Sequence, residues 1–168
     1  MAIKPYYTIA MARILGIDPG TGILGFGVVD TSRSGPVFVD AGVIRTPVKE
    51  DDAVRLLTIY EELTEIVKLT KPTIMSVEKL FFARNVTTAM TVSQARGVVL
   101  LCGMQANMTI HEYTPMQIKQ AITGYGSADK KQMQEMVRII LKLKEIPRPD
   151  DAADALAAAI THSMTMRD

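Results

Sequence analysis

Four acidic residues in this sequence have the type and placement expected of ligands for a divalent cation. Asp18 follows a β-prone run and precedes Pro-Gly-Thr-Gly, and Glu78 ends an otherwise apolar run. Asp151 and Asp154 are three residues apart, so they project from one side of a helix that begins near them. Spacing alone leaves plainer explanations open, which are a turn aspartate, a strand-end glutamate paired with Lys79, and helix-capping residues.

Four carboxylates brought together would repel one another, and divalent metal would resolve that repulsion. Mg²⁺ prefers hard oxygen ligands, and two such ions about 3.5–4 Å apart can clamp a phosphodiester for in-line displacement. One ion would lower the pKa of the attacking water and the other would stabilise the leaving 3′ oxygen. No histidine base is needed, so we interpret His111 and His162 as structural. Asp150 points away from its two neighbours and is interpreted as the helix cap.

The elements that must position these residues follow from hydrophobic period and turn signals. Strands are predicted at 13–18, 24–30, 37–44, 73–78 and 109–113. Helices are predicted at 52–69, 86–107, 115–123, 128–142 and 150–165. Three hairpin-connected strands followed by alternating helices and strands predict an α/β domain with a mixed sheet and helices packed on it. Ligands of such sheets gather at the carboxyl ends of strands, where Asp18 and Glu78 are placed.

Composition indicates one globular domain. The chain has 168 residues, 48% of them hydrophobic and 22% charged. We see neither a membrane span nor a signal-peptide pattern, and the single Cys102 lies in an apolar run, so we expect a cytoplasmic protein with a buried thiol. Residues 1–10 precede a second plausible start at Met11 and are interpreted as an extension or leader, leaving 11–168 as the single domain.

Charge is unevenly distributed, although the net charge is only +1. Residues 79–148 hold ten basic and four acidic side chains, whereas 1–78 hold eight and ten, and 149–168 hold one and four. A basic middle would suit an anionic polymer held over a cation site, and a solvated helix face explains the same bias equally well.

Three further features would suit nucleic-acid binding. Lys119, Lys130 and Lys131 flank the glycines of GYGS and could approach phosphate, although helix lysines are mostly solvated. Phe81 and Phe82 follow the end of a predicted strand. One could anchor the loop in the core while the other stacks on an unpaired base, or both could be buried. The helix at 86–107 is apolar or small on most sides, which favours either a twofold dimer contact or burial within one core.

Five segments in order resemble the RuvC family of bacterial Holliday junction resolvases. They are GIDPGTGILGFGVVD (16–30), SVEKLFFARN (76–85), SQARGVVL (93–100), TPMQIKQAITGYGSADKKQMQEMV (114–137) and DDAADALAAAITH (150–162). The resemblance covers nearly the whole chain from Met11. It implies an RNase H-like fold, a mixed five-stranded sheet with helices on both faces, and a homodimer. It also implies that Mg²⁺, two ions per subunit with Mn²⁺ as a substitute, supports symmetric nicking of four-way junction DNA.

The resemblance also implies roles for individual residues. Those at the family's catalytic, metal-binding carboxylates are Asp18, Glu78, Asp151 and Asp154. Phe81 falls on the loop aromatic that stacks on DNA, and Lys119 and Lys130 fall on basic residues that contact the phosphate backbone. The implied products carry 5′-phosphate and 3′-hydroxyl ends, and the implied partners are the branch-migration proteins RuvA and RuvB.

Two other functions remain as alternatives. GIDPGTG is also similar to the first phosphate loop of actin-like ATPases and sugar kinases, but those proteins have two lobes and need about twice this length. An RNase H-like module could also bind structured nucleic acid without cutting it. The intact set of four carboxylates argues against that second alternative.

Overall fold

A computed structural model describes residues 11–79 and 86–166, with side chains in the second range from residue 89 onwards. The strands are β1 (Arg13–Asp18), β2 (Ile23–Asp30), β3 (Val37–Arg45), β4 (Ile74–Glu78) and β5 (Thr109–Tyr113). The helices are α1 (Asp52–Thr70), α2 (Val86–Gln105), α3 (Pro115–Thr123), α4 (Lys130–Ile140) and α5 (Asp150–Thr165). Every element predicted from the sequence is present in the predicted order.

The five strands form one mixed sheet in the order β3-β2-β1-β4-β5. β1, β2 and β3 are an antiparallel meander, whereas β4 pairs with β1 in parallel and β5 pairs with β4 in parallel. The carboxyl ends of β1, β4 and β5 therefore meet at one edge of the sheet. The sequence predicted a mixed sheet but not the order of its strands, which the structure gives.

Helices cover both faces of the sheet, and strand alternation decides which residues each face receives. Leu15 and Ile17 of β1 are fully buried in a cluster with α1 and α2. Ile14 is buried in the second cluster, with α3, α4 and α5. Since side chains two apart share a face, Asp18 projects toward the α5 side.

The same alternation places Glu78 on the α5 side of β4. Ser76, two residues earlier, is fully buried, and its hydroxyl donates a 2.7 Å hydrogen bond to the Ala158 carbonyl of α5. An extended strand turns every second side chain to one face. Asp18 and Glu78 thus lie on the same face and at the same edge of the sheet.

Glycines on the strands and alanines on the helix let α5 lie unusually close to the sheet. A Cβ added to Gly16 would lie 2.0 Å from the Ala155 carbonyl oxygen, and one added to Gly27 would lie 2.7 Å from the Leu156 nitrogen. Ala155 is fully buried. The absence of side-chain bulk on both surfaces fixes the height of α5 above β1 and β2.

Two helices are shorter than the sequence indicated. The helix predicted over 128–142 begins only at Lys130, after an Asp129 cap, and its end is followed by Lys142 in the left-handed region at φ 54°. The helix predicted to reach 107 ends at Gln105, and Asn107 has φ 57°. Both ends use a polar residue at a positive φ to leave the helix, which apolar periodicity does not register.

Within the two described ranges no helix is long and apolar enough to cross a membrane. The Cys102 thiol is free and buried, as predicted.

Candidate active site

Two of the four predicted carboxylates are side by side at the ends of neighbouring strands. β1 and β4 run parallel with Ile17 opposite Val77, so Asp18 and Glu78 are the next residues in register. Both are partly buried. Within the described ranges no hydrogen bond joins Asp18 to its own loop and no ion pair joins Glu78 to Lys79. The turn and strand-end explanations left open by the sequence therefore find no support in these contacts.

α5 brings the other two carboxylates to the same edge. Asp151 and Asp154 lie in its first turns, and both are partly buried. Gly25, which pairs with Asp18 across β1 and β2, lies directly beneath the Asp151 backbone. This contact places the start of α5 next to the strand position of Asp18.

Electrostatic interactions show how closely the acidic groups are gathered. Desolvation and, after it, neighbouring negative charges together raise the pKa of Asp18 to about 8. In order of strength those charges belong to Glu78, Asp154 and Asp151. Desolvation, followed by the charge of Asp154, also raises the pKa of Glu78. The four carboxylates therefore form one interacting cluster, with Asp18 as its most perturbed member.

Two lysines lie beside the four carboxylates. A cavity of about 230 Å³ beside the carboxylates is lined by Glu78, Pro115, Ile118, Lys119, Lys130, Met133, Asp154 and Ala157. Lys130 Nζ is 3.3 Å from Asp154 Oδ2 and 3.4 Å from Asp150 Oδ2. The charge of Lys119 lowers the pKa of Glu78, partly opposing its desolvation. Lys119 and Lys130, chosen from the sequence as phosphate contacts, thus lie beside the carboxylates, whereas the exposed Lys131 does not line this cavity.

Capping boxes at two helix starts hold these lysines in place. The Thr114 hydroxyl accepts from the Gln117 backbone N–H at 3.2 Å, and the Thr114 N–H donates to the Gln117 side chain. Asp129 and Gln132 repeat the arrangement at the start of α4. Neither motif was predicted, although T-P-M-Q and D-K-K-Q carry the spacing of a capping box. Each box fixes the first turn of the helix that presents one lysine.

Asp150 is not the helix cap that the sequence predicted. Pro149 occupies the N-cap position, and no side chain in the described part of the chain caps α5. Pro149 holds the extended backbone that precedes the helix, so Asp150 falls inside the first turn. Its carboxylate pairs instead with Lys130 and, at 3.0 Å, with Arg148 Nη1.

The donor chemistry of this cluster fits a hard divalent cation. The four candidate ligands supply only carboxylate oxygens, and their mutual repulsion, visible in the raised pKa of Asp18, is what a cation would relieve. No three His, Cys, Asp or Glu side chains in the described ranges are yet arranged around a single point as an ion would require. Asp154 instead turns its carboxylate to Lys130. For Asp154 to bind an ion, its carboxylate would have to turn away from Lys130.

The two histidines were predicted to be structural. His162 is buried, stacks on His111 with 4.1 Å between ring centroids, and shares a 2.7 Å hydrogen bond with the Tyr113 hydroxyl. These contacts agree with the structural interpretation of both histidines. Phe81 and Phe82 lie outside the described residues.

A family model described as "Crossover junction endodeoxyribonuclease RuvC" matches residues 14–162. The chain belongs to the RuvC family. A relative of that description from Heliobacterium modesticaldum is 53% identical over 154 residues, covering 90% of this chain and 95% of that protein. Another, from Brevibacillus brevis, is 55% identical over 151 residues, covering 90% of this chain and 91% of that protein.

Solved structures agree with that assignment. The chain resembles Thermus thermophilus RuvC in complex with Holliday junction substrate, with a TM-score of 0.87 and 38% identity over 93% of this chain and 95% of that one. The yeast mitochondrial Holliday junction resolvase Ydc2 shares the fold at 12% identity, with a TM-score of 0.68 over 90% of this chain and 78% of that one. The fold is the RNase H-like mixed sheet that the sequence resemblance implied.

Proposed function

We propose that this RuvC-family chain is an endonuclease that cuts four-way DNA junctions. The observation that carries the proposal is the gathering of Asp18, Glu78, Asp151 and Asp154 at one edge of the sheet, beside two lysines. Bound cations would relieve the repulsion among the acidic groups, and the lysines beside them suit a polyanionic substrate. The RuvC family match over nearly the whole chain favours this function over the nucleotide-binding lobe and over a module that binds without cutting.

The four carboxylates would hold Mg²⁺, two ions per subunit by family resemblance, with Mn²⁺ as a substitute. When bound, such ions supply a nucleophilic water at neutral pH and neutralise charge on the phosphate and on the leaving oxygen. The strands and the buried α5 would fix the backbone positions of the carboxylates before substrate arrives. A fixed backbone limits the rearrangement needed to the side chains.

Lys119 and Lys130 would bind the phosphate backbone at the scissile position. Both line the cavity beside Glu78 and Asp154, so a phosphate held there lies next to the carboxylates. Ile118 and Met133 line the same cavity and would exclude bulk water from one side of it. Cleavage by water would leave a 5′-phosphate and a 3′-hydroxyl end. For Phe81, family resemblance supports stacking on a base near the crossover.

We further propose that the protein acts as a homodimer through α2. One side of this helix is buried in the core, with Ala95 and Val99 fully covered. On the same helix Met90 is 63% exposed, Leu101 54% and Met104 63%. Large apolar residues on a second side of a core helix suit a twofold contact, which would place two sites symmetrically on a junction of near-twofold symmetry.

RuvA and RuvB are the partners that family membership supports, acting on the same junction by branch migration. A cytoplasmic location would suit these partners. It would also suit a chain whose single cysteine is a free, buried thiol.

The direct experiment incubates the purified protein with Mg²⁺ and a mobile four-way junction, beside a linear duplex of the same sequence. We expect paired nicks in two opposed strands of the junction and an intact duplex, with religatable ends. Equal cutting of both substrates would show a general nuclease without specificity for junctions. Tight Mg²⁺-dependent ATP binding without cutting would favour the nucleotide-binding alternative instead.

A further inference from the structure

Asp150 has no assigned role in the chemistry proposed above, yet it contacts Lys130, which lines the candidate active site. Its carboxylate lies 3.4 Å from Lys130 Nζ and 3.0 Å from Arg148 Nη1. Lys130 is equally close to Asp154, at 3.3 Å. One ammonium group is therefore shared almost equally between a carboxylate inside the candidate metal site and one just outside it.

These ion pairs contribute little to the stability of the fold. The Lys130 side chain is 55% exposed and the Asp150 side chain 40% exposed, and such surface pairs are screened by solvent. Asp150 also makes no capping hydrogen bond to α5. What the Asp150 contact does is restrict where a long, flexible lysine lies.

Lys130 needs that restriction because its other partner has a competing use. A cation bound by Asp154 would neutralise the charge that attracts Lys130 and would repel the ammonium directly. A lysine with a single partner would then move into solvent. Asp150 lies on the preceding turn of the same helix and keeps its charge when Asp154 is occupied.

We propose that Asp150 is a positioning residue that retains Lys130 at the mouth of the carboxylate cluster when Asp154 binds a cation. The inference rests on the proposed function for the identity of the ion and substrate. Lys130 exchanges two partners for one instead of losing its only partner, and its ammonium stays within reach of a phosphate in the cavity. Asp150 itself touches neither substrate nor metal.

Chemical labelling of Lys130 tests this role without any cleavage reaction. DNA-free protein is acetylated briefly with and without Mg²⁺, and modification of Lys130 is measured by mass spectrometry relative to the exposed Lys131. In the parent protein we expect Mg²⁺ to change the Lys130 labelling rate less than about twofold, because Asp150 still holds it. In Asp150→Asn we expect Mg²⁺ to raise that rate about three- to fivefold, since a single exposed ion pair is worth no more than this.

Two variants separate positioning from general effects of charge or structure. Arg148→Gln removes another ion-pair partner of Asp150 and should leave the labelling pattern of the parent, while Asp150→Glu should restore it. Single-turnover cleavage at saturating Mg²⁺ should fall in Asp150→Asn, and the same substitution should add nothing in a Lys130→Gln background.

Two outcomes would overturn the positioning role, and a third would refute the proposed function. Equal Mg²⁺ responses in the parent and Asp150→Asn would overturn the positioning role, whatever the cleavage result. An additive loss of cleavage in the double variant would also overturn it, because Asp150 would then act independently of Lys130. Failure of the parent to cut junctions, with the labelling pattern as expected, would refute the proposed function and leave the lysine contact intact.

Discussion

Gly25 lies so close beneath Asp151 that a Cβ at this position would come within 2.0 Å of the Asp151 carbonyl oxygen. Gly25 also pairs with Asp18 across the β1–β2 ladder. One residue without a side chain therefore sets the distance between the strand that carries the first carboxylate and the helix that carries two others. The geometry of the candidate site depends on this contact between backbones.

Gly25→Ala should push the start of α5 away from the sheet. We expect the free energy of unfolding to fall by about 1–3 kcal/mol, as overpacking a buried contact does. Junction cleavage should fall on the order of 100-fold, because a displacement of about 1 Å at a catalytic site has that effect. Single-turnover kinetics and urea unfolding of the same preparation measure both changes.

Gly22→Ala is the matched control, because among the described residues a Cβ there would meet only Arg55 Nη2, at an ordinary 3.5 Å. Its cleavage rate should remain near that of the parent. Parental cleavage by Gly25→Ala would show that the height of α5 is not critical for the site.

Stability should depend on pH through Asp18. The pKa of this carboxyl is raised to about 8, whereas an ordinary aspartate ionises near 3.8, so the folded state retains a proton that the unfolded state has lost. The free energy of unfolding should therefore fall as pH rises through that window and level off above about pH 9. Urea unfolding at pH 7 and pH 9 measures the fall.

Asp18→Asn should abolish this fall, because an amide carries no charge to bury. Mg²⁺ should also reduce the fall in the parent by stabilising the ionised form, as any ligand of the folded state does. A fall of equal size in Asp18→Asn would assign the pH dependence to other groups.

His162 should stay uncharged well below the usual range for histidine. Burial and, after it, the charge of His111 together lower its pKa to about 4. The folded state thus binds fewer protons than the unfolded state between about pH 4 and 6.5, so this residue's contribution to stability is lost as pH falls through that range. With two histidines in the chain, nuclear magnetic resonance can follow both rings, assigned with His162→Gln. A His162 ring that titrates between pH 6 and 7 would contradict its burial against Tyr113.

Lys119 and Lys130 should contribute to junction affinity through salt-dependent phosphate contacts. Removal of either charge, as in Lys119→Met, should lower the slope of log affinity against log salt concentration by about one and weaken binding of all sequences alike. Fluorescence anisotropy in Ca²⁺, over a range of salt concentrations, gives the slope. The matched control is Lys142→Met, since the exposed Lys142 does not line the cavity. An unchanged slope for Lys119→Met and Lys130→Met would leave both lysines as ordinary surface residues.

The sequence predicted the elements and the four carboxylates because both depend on local patterns. Apolar runs ending in Asp18 and Glu78 marked strand ends, and the three-residue spacing of Asp151 and Asp154 marked one helix face. Strand order was not accessible, since pairing of β1 with β4 depends on contacts between residues about sixty positions apart. The resemblance to a family, rather than periodicity, supplied the fold at that level.

The error at Asp150 has a physical reason. Aspartate is favoured both as an N-cap and within the first helical turn, and only the backbone at Pro149 distinguishes the two. Its pairing with Lys130 joins α4 to α5 in space, and no sequence spacing reveals such a contact. The capping boxes at Thr114 and Asp129, in contrast, were available from the sequence.

The most direct test of the central claim is single-turnover cleavage of a mobile four-way junction by Asp18→Asn in Mg²⁺, with junction binding measured on the same preparation. Loss of one carboxylate from the cluster should reduce cleavage by at least about 10³-fold, since bound metal supplies several kcal/mol of transition-state stabilisation and each 1.36 kcal/mol is tenfold in rate. Junction affinity should remain near that of the parent, and the unfolding transition should be no lower than that of the parent. Cleavage by Asp18→Asn at the parental rate would contradict the assignment of this cluster as the catalytic site.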